Sequence, residues 1–203
     1  MRYFQVVNDM RIRGRRFLAA PRNDAGEPVD PRIFTEGRAQ PHPVTLTFPV
    51  QNDGFPLDLI LGPFDVPIAR PHVGETLEQF DRGCVQRIPA RVENDPDPYE
   101  VLNIVALRDC FDERASTFER FTQDDPVRPD LAGEISLVMN LVIDPTRAGG
   151  ADVFRLTSWR LPITVSERVR VRLHDRRVSG VRFISVMPGE DTPAERGSHP
   201  PSL

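Results

Sequence analysis

Apolar residues recur along this chain at two spacings, every second residue and every third or fourth, and alternation is the commoner pattern. Ile135, Leu137, Met139, Leu141 and Ile143 hold five successive alternate positions, the clearest strand signature in the chain. Val44, Leu46 and Phe48 alternate with Thr45 and Thr47, and Pro49, which has no N–H to give to a ladder, confines that strand to a sheet edge or a strand end. Ile88, Ala90 and Val92 alternate again. Residues 99–108 are apolar on both faces, as in a central strand, and the turn-rich ENDPDP segment between the two runs predicts a hairpin. Residues 3–7 and 57–61 supply further short strands.

Helical spacing appears twice. Val73, Leu77 and Phe80 fall at i, i+4 and i+7 with Pro71 suited to the first turn, which predicts a helix over 71–80. Gly74 weakens it by about 1 kcal/mol relative to alanine. Val165, Val169 and Leu173 have the same spacing, although Val169, Val171 and Leu173 also alternate as in a strand; Ser166 as N-cap and Glu167 in the first turn favour a helix. Val73, Leu77 and Val85 recur as Val169, Leu173 and Val181 at an offset of 96, and Val66, Pro67, Ile68 recur as Leu161, Pro162, Ile163 at an offset of 95. This pattern predicts two similar strand-helix-strand units. The expected fold class is α+β: a single mixed domain over residues 1–187, predominantly β-sheet with a few short helices. Residues 188–203 contain too few apolar positions to pack and read as a disordered tail.

Between these elements the chain is rich in turns, with 21 prolines and 13 glycines. Residues 21–43 read as an irregular connection. Within it Asp30, Pro31, Arg32, Phe34 and Gly37 form a docked loop with one apolar anchor. Residues 111–133 are polar and acidic, and Phe118 and Phe121, at helical spacing, pin them to the body.

Charge is unevenly placed. From residue 93 to 134 there are twelve acidic residues against four arginines, a net of −8; from 155 to 182 there are eight arginines against Glu167 and Asp175, a net of +6. The chain contains no lysine, so every cation is a guanidinium suited to planar, bidentate pairing. Arg11, Arg13, Arg15 and Arg16 read as a solvated basic edge. Arg168, Arg172 and Arg176 lie along one helix face, with Arg160, Arg177 and Arg182 nearby; the expectation is that they snorkel over the core edge and pair with the acidic middle of the chain. A nucleic-acid-binding module using this stripe is the alternative reading, but no aromatic side chains are interleaved with the stripe for stacking.

Candidate chemistry is sparse. His42, His72, His174 and His199 are far apart in sequence, and there is no CxxC pair, HExxH helix, phosphate-binding loop, GxGxxG turn or GxSxG elbow. Neither catalytic residues nor a cofactor or metal is expected. Cys84 and Cys110 each adjoin an apolar residue and read as at least partly buried thiols outside any disulfide framework. The N-terminus lacks the apolar core of a signal peptide and no window approaches ~18 apolar residues, so a cytoplasmic protein that does not engage the membrane is expected. Asp109, Asp112, Glu113, Glu119, Asp124, Asp125 and Asp130 do not have the spacing of a calcium loop. They read instead as an acidic surface, able to meet a basic partner.

Several segments resemble the immunity protein eleven family of bacterial polymorphic toxin systems: DPRIFTEG at 30–37, FDVPI at 64–68, EVLNIVALRDCFDE at 100–113, LVIDPTRAGGADVFRLTSWRLPITVSERV at 141–169, and SGVRF at 179–183. The likeness spans about residues 3–186 and is most specific in the last two segments, through Asp144, Pro145, Gly149, Gly150, Phe154, Arg155, Leu156, Trp159, Ser166 and Glu167. It implies a mixed, largely β domain that binds a cognate toxin as an inhibitor in the cytoplasm, with no catalytic residues of its own. Toxins of such systems are often nucleases, and an acidic inhibitor suits a basic nuclease. The toxin contacts are therefore expected on Asp109, Asp112, Glu113, Glu119, Asp124, Asp125 and Asp130, and the stretch around Trp159 is expected to be scaffold.

Overall fold

The computed structural model describes residues 1–41, 45–80 and 82–189. His42, Val44, His199 and the expected tail from residue 190 onward lie outside the described residues. In chain order the strands are β1 (Tyr3–Asn8), β2 (Phe17–Leu18), β3 (Leu46–Phe48), β4 (Val50–Asn52), β5 (Leu59–Leu61) and β6 (Pro67–Ala69), followed by helix α1 (Pro71–Glu78). Then come β7 (Val85–Val92), β8 (Tyr99–Ile104), β9 (Leu107–Arg108), β10 (Thr117–Arg120), β11 (Ile135–Asn140), β12 (Val153–Leu156), β13 (Ile163–Ser166), helix α2 (Glu167–Asp175) and β14 (Val181–Ser185). One five-stranded sheet has the order β3-β7-β8-β6-β5 and the other β14-β1-β13-β12-β9; β2-β4 and β10-β11 form two-stranded ribbons. The fold is α+β and mostly sheet, as expected.

The repeat seen in the sequence is also a repeat of topology. β6 and β7 are each antiparallel to β8, which lies between them, and β13 and β14 are each antiparallel to β1 in the same way. Each helix thus crosses between two parallel strands separated by one antiparallel strand. The rows match in register: Ile68, Val101 and Ile88 in one sheet correspond to Thr164, Gln5 and Ile184 in the other, with the two repeat-related positions 96 residues apart. The Val-Pro-Ile likeness at an offset of 95 is therefore one residue out of step. Ile68 faces away from the helices while Ile163 faces the same core as they do, because a one-residue slip exchanges the two faces of a strand.

Three apolar layers result. The central layer joins both units, with Val73 and Leu77 of α1 and Val169 and Leu173 of α2 against Phe4, Val6, Leu59, Leu102 and Val165 of the two sheets. The outer face of the first sheet is covered by Leu18 and Phe34, so the 30–37 loop is docked as expected, with Asp30 capping its short helical turn. The outer face of the second sheet is covered by Cys110, Phe111, Leu141 and Ile143, with Trp159 packed partly buried at the margin. Gly74 stands in mid-helix for a packing reason. A Cβ there would lie 2.8 Å from Glu100 Oε2 and 2.9 Å from Arg87 Nε, across the pair these two side chains form.

Four expectations change. The run at 99–108 does not stay in one strand: after Ile104 the chain leaves the first sheet, and Leu107 and Arg108 pair with β12 of the second. Residues 117–120 are a strand, not a helical turn, because they pair with β11. The alternation from Ile135 to Ile143 is broken by irregular register on both sides of the Phe118–Val138 and Glu119–Leu137 pairs. Each bulge reverses the face of the residues beyond it, so Ile135, Leu141 and Ile143 are buried while Leu137 and Met139 stay exposed. Finally, Arg15 and Arg16 are buried, not solvated: Arg15 donates to Asn8 Oδ1 at 2.6 Å and Arg16 to Asp95 Oδ2 at 2.8 Å.

Asp95, in the ENDPDP hairpin turn, is the hub of a buried network that also receives Tyr99 Oη at 3.0 Å and Arg70 at 3.4 Å. Burial alone would raise its pKa. Hydrogen bonds from Asp97 N–H and Tyr99 and the adjacent Arg70 and Arg16 outweigh that and hold it below the usual carboxylate value. Its contribution to stability is thus complete above the unfolded-state value of about 3.9 and is lost as pH falls through the lower folded value. Asp95→Asn is expected to cost about 2–4 kcal/mol at neutral pH, since the buried Arg16 loses its close anion and keeps only the exposed Asp53 at 3.6 Å. The variant should also show a shallower acid limb than the wild type when urea midpoints are followed below about pH 4.

Hydrogen bonds join the two units at two places. The fully buried Arg155 of β12 donates to the carbonyls of Arg160 and Leu161 and, at 2.9 Å, to that of Asp65 in the turn leading into β6. At the other end Leu59 N–H of β5 donates to Ser179 O at 3.1 Å, Ser179 donates to Asp58 Oδ2, and Asn8 exchanges two hydrogen bonds with the backbone of Leu61. FDVPI, VFRL and SGVRF are therefore the segments that hold one unit against the other.

Candidate partner-binding surface

The acidic segment follows β9 and covers the outer face of the second sheet. Phe111 and Phe118 meet edge to face there, with centroids 5.2 Å apart, and Ser116 Oγ exchanges hydrogen bonds with the backbone of Val142 at 3.0 Å. These contacts fix the β10-β11 ribbon, and with it the carboxylates that the sequence singles out.

The seven carboxylates are not equivalent. Asp112 accepts from the backbone N–H groups of Arg114 and Ala115, and Asp125 from those of Val127 and Arg128, so both hold turns. The hydrogen bonds at Asp125 keep its pKa below the ordinary value. Asp109 pairs with Arg147, Glu113 with Arg120 at 2.8 Å and Asp130 with Arg128 at 2.9 Å, all well exposed. Such exposed pairs are weak and leave each carboxylate available to a competing cation. Glu119 and Asp124 are exposed and form no ion pair among the described residues. An open hollow of about 400 Å³ lies beside this group, lined by Asp109, Asp112, Glu113 and Asp144 with Arg114 and Arg147. Among the described residues no three His, Cys, Asp or Glu side chains converge as metal ligands would.

The arginines of α2 do not meet this surface. Arg168 pairs with the buried Asp152, which also receives Ser166 Oγ, the N-cap that accepts from Val169 N–H. Arg170 pairs with Glu167 at 3.5 Å and lies over the Phe4 ring. Arg172 and Arg176 are exposed without an ion pair among the described residues. The expected pairing with the acidic middle fails for a topological reason. α2 packs into the central layer on one face of the second sheet, whereas the acidic segment lies on the other.

The Cys110 thiol is a poor nucleophile. Cys110 is fully buried and burial pushes its pKa up to about 11. No described helix is long and apolar enough to cross a membrane. With these features in view, comparison with known families is decisive: the immunity protein family (Imm11) matches residues 84–187, just over half of the chain. The chain belongs to this family.

The match takes in β7 to β14, both arginine-bearing and acidic regions, and the two segments that carry the strongest likeness, while DPRIFTEG and FDVPI lie outside it. Among curated proteins none matches the chain. Sequence reading missed two features of this Imm11 protein. One is the Asp95 network, whose signal is an acidic residue followed closely by a tyrosine at a strand start. The other is the outward turn of Leu137 and Met139, because a β-bulge leaves little trace in an alternating pattern.

Proposed function

We propose that this chain binds a cognate polymorphic toxin as a stoichiometric protein inhibitor, without catalysis, in the cytoplasm of the cell it protects. The toxin is basic, a nuclease, and it meets the surface carrying Asp109, Asp112, Glu113, Glu119, Asp124, Asp125 and Asp130. Membership of an immunity protein family is the observation that carries the reading. The separation of charge supports the location: the segment that carries these side chains packs on the outer face of the second sheet, and among the described residues none of them forms an ion pair with an arginine of α2. An acidic face accelerates encounter with a basic partner and fixes its orientation.

The carboxylates that hold no turn and no ion pair are the ones to reverse. Glu119→Lys with Asp124→Lys is expected to slow association with the toxin encoded beside this chain by about tenfold or more at low salt, with the difference shrinking as salt rises. Asp112 and Asp125 are poor choices, since their loss also breaks turns. An unchanged association rate at low salt would move the interface elsewhere while leaving the inhibitor reading intact.

The exposed Arg172 and Arg176 favour a second reading, binding to nucleic acid through α2. It requires affinity for DNA or RNA that falls steeply as salt rises. A flat isotherm at low salt removes it.

A further inference from the structure

The outer face of the β10-β11 ribbon carries two large apolar side chains in water, Leu137 at 47% and Met139 at 57% exposure. Their position is not an accident of a loose loop. The opposite face of the same ribbon, through Phe118 and Val138, is anchored in the third apolar layer, and Phe118 stacks edge to face on Phe111. The two register shifts are what turn Leu137 outward while Ile135 beside it is buried. A strand with unbroken alternation would place Ile135 and Leu137 on one face; this one divides them.

The surroundings of the patch define its occupant. Glu119 is the direct cross-strand partner of Leu137, and Glu134 and Asp124 are exposed on the loop that closes the ribbon. An apolar centre with a charged rim is the anatomy of a protein interface, in which the centre supplies affinity and the rim supplies rate and register. A lipid surface is disfavoured, because anionic headgroups would face carboxylates. A second copy of this chain is disfavoured too, since a two-fold contact would bring the Glu119 rims of both copies together.

We infer that Leu137 and Met139 are the affinity-determining anchors of the toxin interface, filling an apolar hollow on the toxin that is ringed by basic side chains. This rests on the inhibitor reading above and deepens it: the carboxylates govern how fast the toxin arrives, and the ribbon governs how long it stays.

The test compares wild type, the Leu137→Ser/Met139→Ser variant and the Glu119→Gln/Asp124→Asn variant against the purified toxin encoded beside this chain, by binding kinetics. Both serine substitutions fall on exposed positions, so the melting temperature should stay within about 2 °C of wild type. The serine variant is expected to dissociate about 30-fold faster or more with an association rate within about threefold of wild type. The amide variant should show the reverse, slower association that recovers toward wild type as salt is raised. If wild type binds and the serine variant dissociates within about threefold of it, the anchors lie elsewhere and this inference is overturned, while the inhibitor reading stands. If wild type does not bind the toxin, both fall. A wild type that sediments as a dimer, with the serine variant a monomer, also overturns the inference, since the patch is then a self-contact.

Discussion

Replacing Arg155 with methionine is expected to destabilise the protein by about 3–5 kcal/mol, lowering the melting temperature by about 10 °C or more. A buried cation can often be exchanged for an apolar side chain of similar length at little cost, because its own desolvation penalty disappears with it. That compensation is weak here. The groups Arg155 serves are the backbone carbonyls of Arg160, Leu161 and Asp65, which stay in place when the side chain is changed. Each is part-buried and loses a charge-assisted hydrogen bond, worth about 1.5–3 kcal/mol apiece, against which the relief of one buried charge is the smaller quantity. The burden on Arg155 is visible in its pKa, which burial pulls down to about 10 against the opposing field of Asp65. Arg155→Lys keeps the charge but loses the planar fork, and is expected to fall between wild type and Arg155→Met. Thermal and urea unfolding of the three proteins check the order. Equal stability of wild type and Arg155→Met would contradict the role assigned to this side chain.

Gly180→Ala is expected to cost about 2–5 kcal/mol, through a left-handed backbone angle and a steric clash acting together. Gly180 has φ of +103°, and a Cβ there would lie 2.0 Å from the carbonyl oxygen of Leu59. The obstacle is backbone, so no side chain can swing aside; β5 and β14 would have to separate, loosening the Leu59 to Ser179 and Asp9 to Gly180 hydrogen bonds. Gly133, with φ of +91° and nothing within 4 Å of the point a Cβ would occupy, isolates the conformational part of the effect. Gly133→Ala should therefore cost only about 1 kcal/mol. Urea denaturation of both variants decides it: comparable losses would mean that close approach at the seam contributes little.

These two residues also show what the sequence reveals and what it hides. Most strands of the two main sheets, both helices and the 96-residue repeat are legible because burial of a strand or helix face imposes a period that survives in the order of residues. The Ser166 N-cap is legible for a similar reason, since its chemistry is local. Arg155 sits in a run whose four residues are all buried, and a lone arginine among apolar neighbours is a visible anomaly. Its partner in the 63–65 turn is 90 residues away, however, and no local pattern names it. The acidic segment is legible as charge, but not the division of labour within it. Asp112 and Asp125 hold turns, three others sit in exposed pairs, and Glu119 and Asp124 form no ion pair among the described residues; that sorting depends on backbone geometry. The expected pairing between the arginines and the acidic middle failed because sequence carries the sign of a charge and not the face of the sheet on which it stands.

The fold thus places Arg155, Ser166, Ser179 and Gly180 in the seams and caps of the two repeated units. It leaves a ribbon with an apolar centre and acidic rim on the outside. Among the described residues no three His, Cys, Asp or Glu side chains are grouped as metal ligands would be. The most direct measurement is growth of cells that express the toxin encoded beside this chain, with and without co-expression of the chain itself. Growth restored by the chain, with the toxin recovered in a one-to-one complex, is the predicted result. Continued arrest, with the chain present, folded and not associated with the toxin, would contradict it.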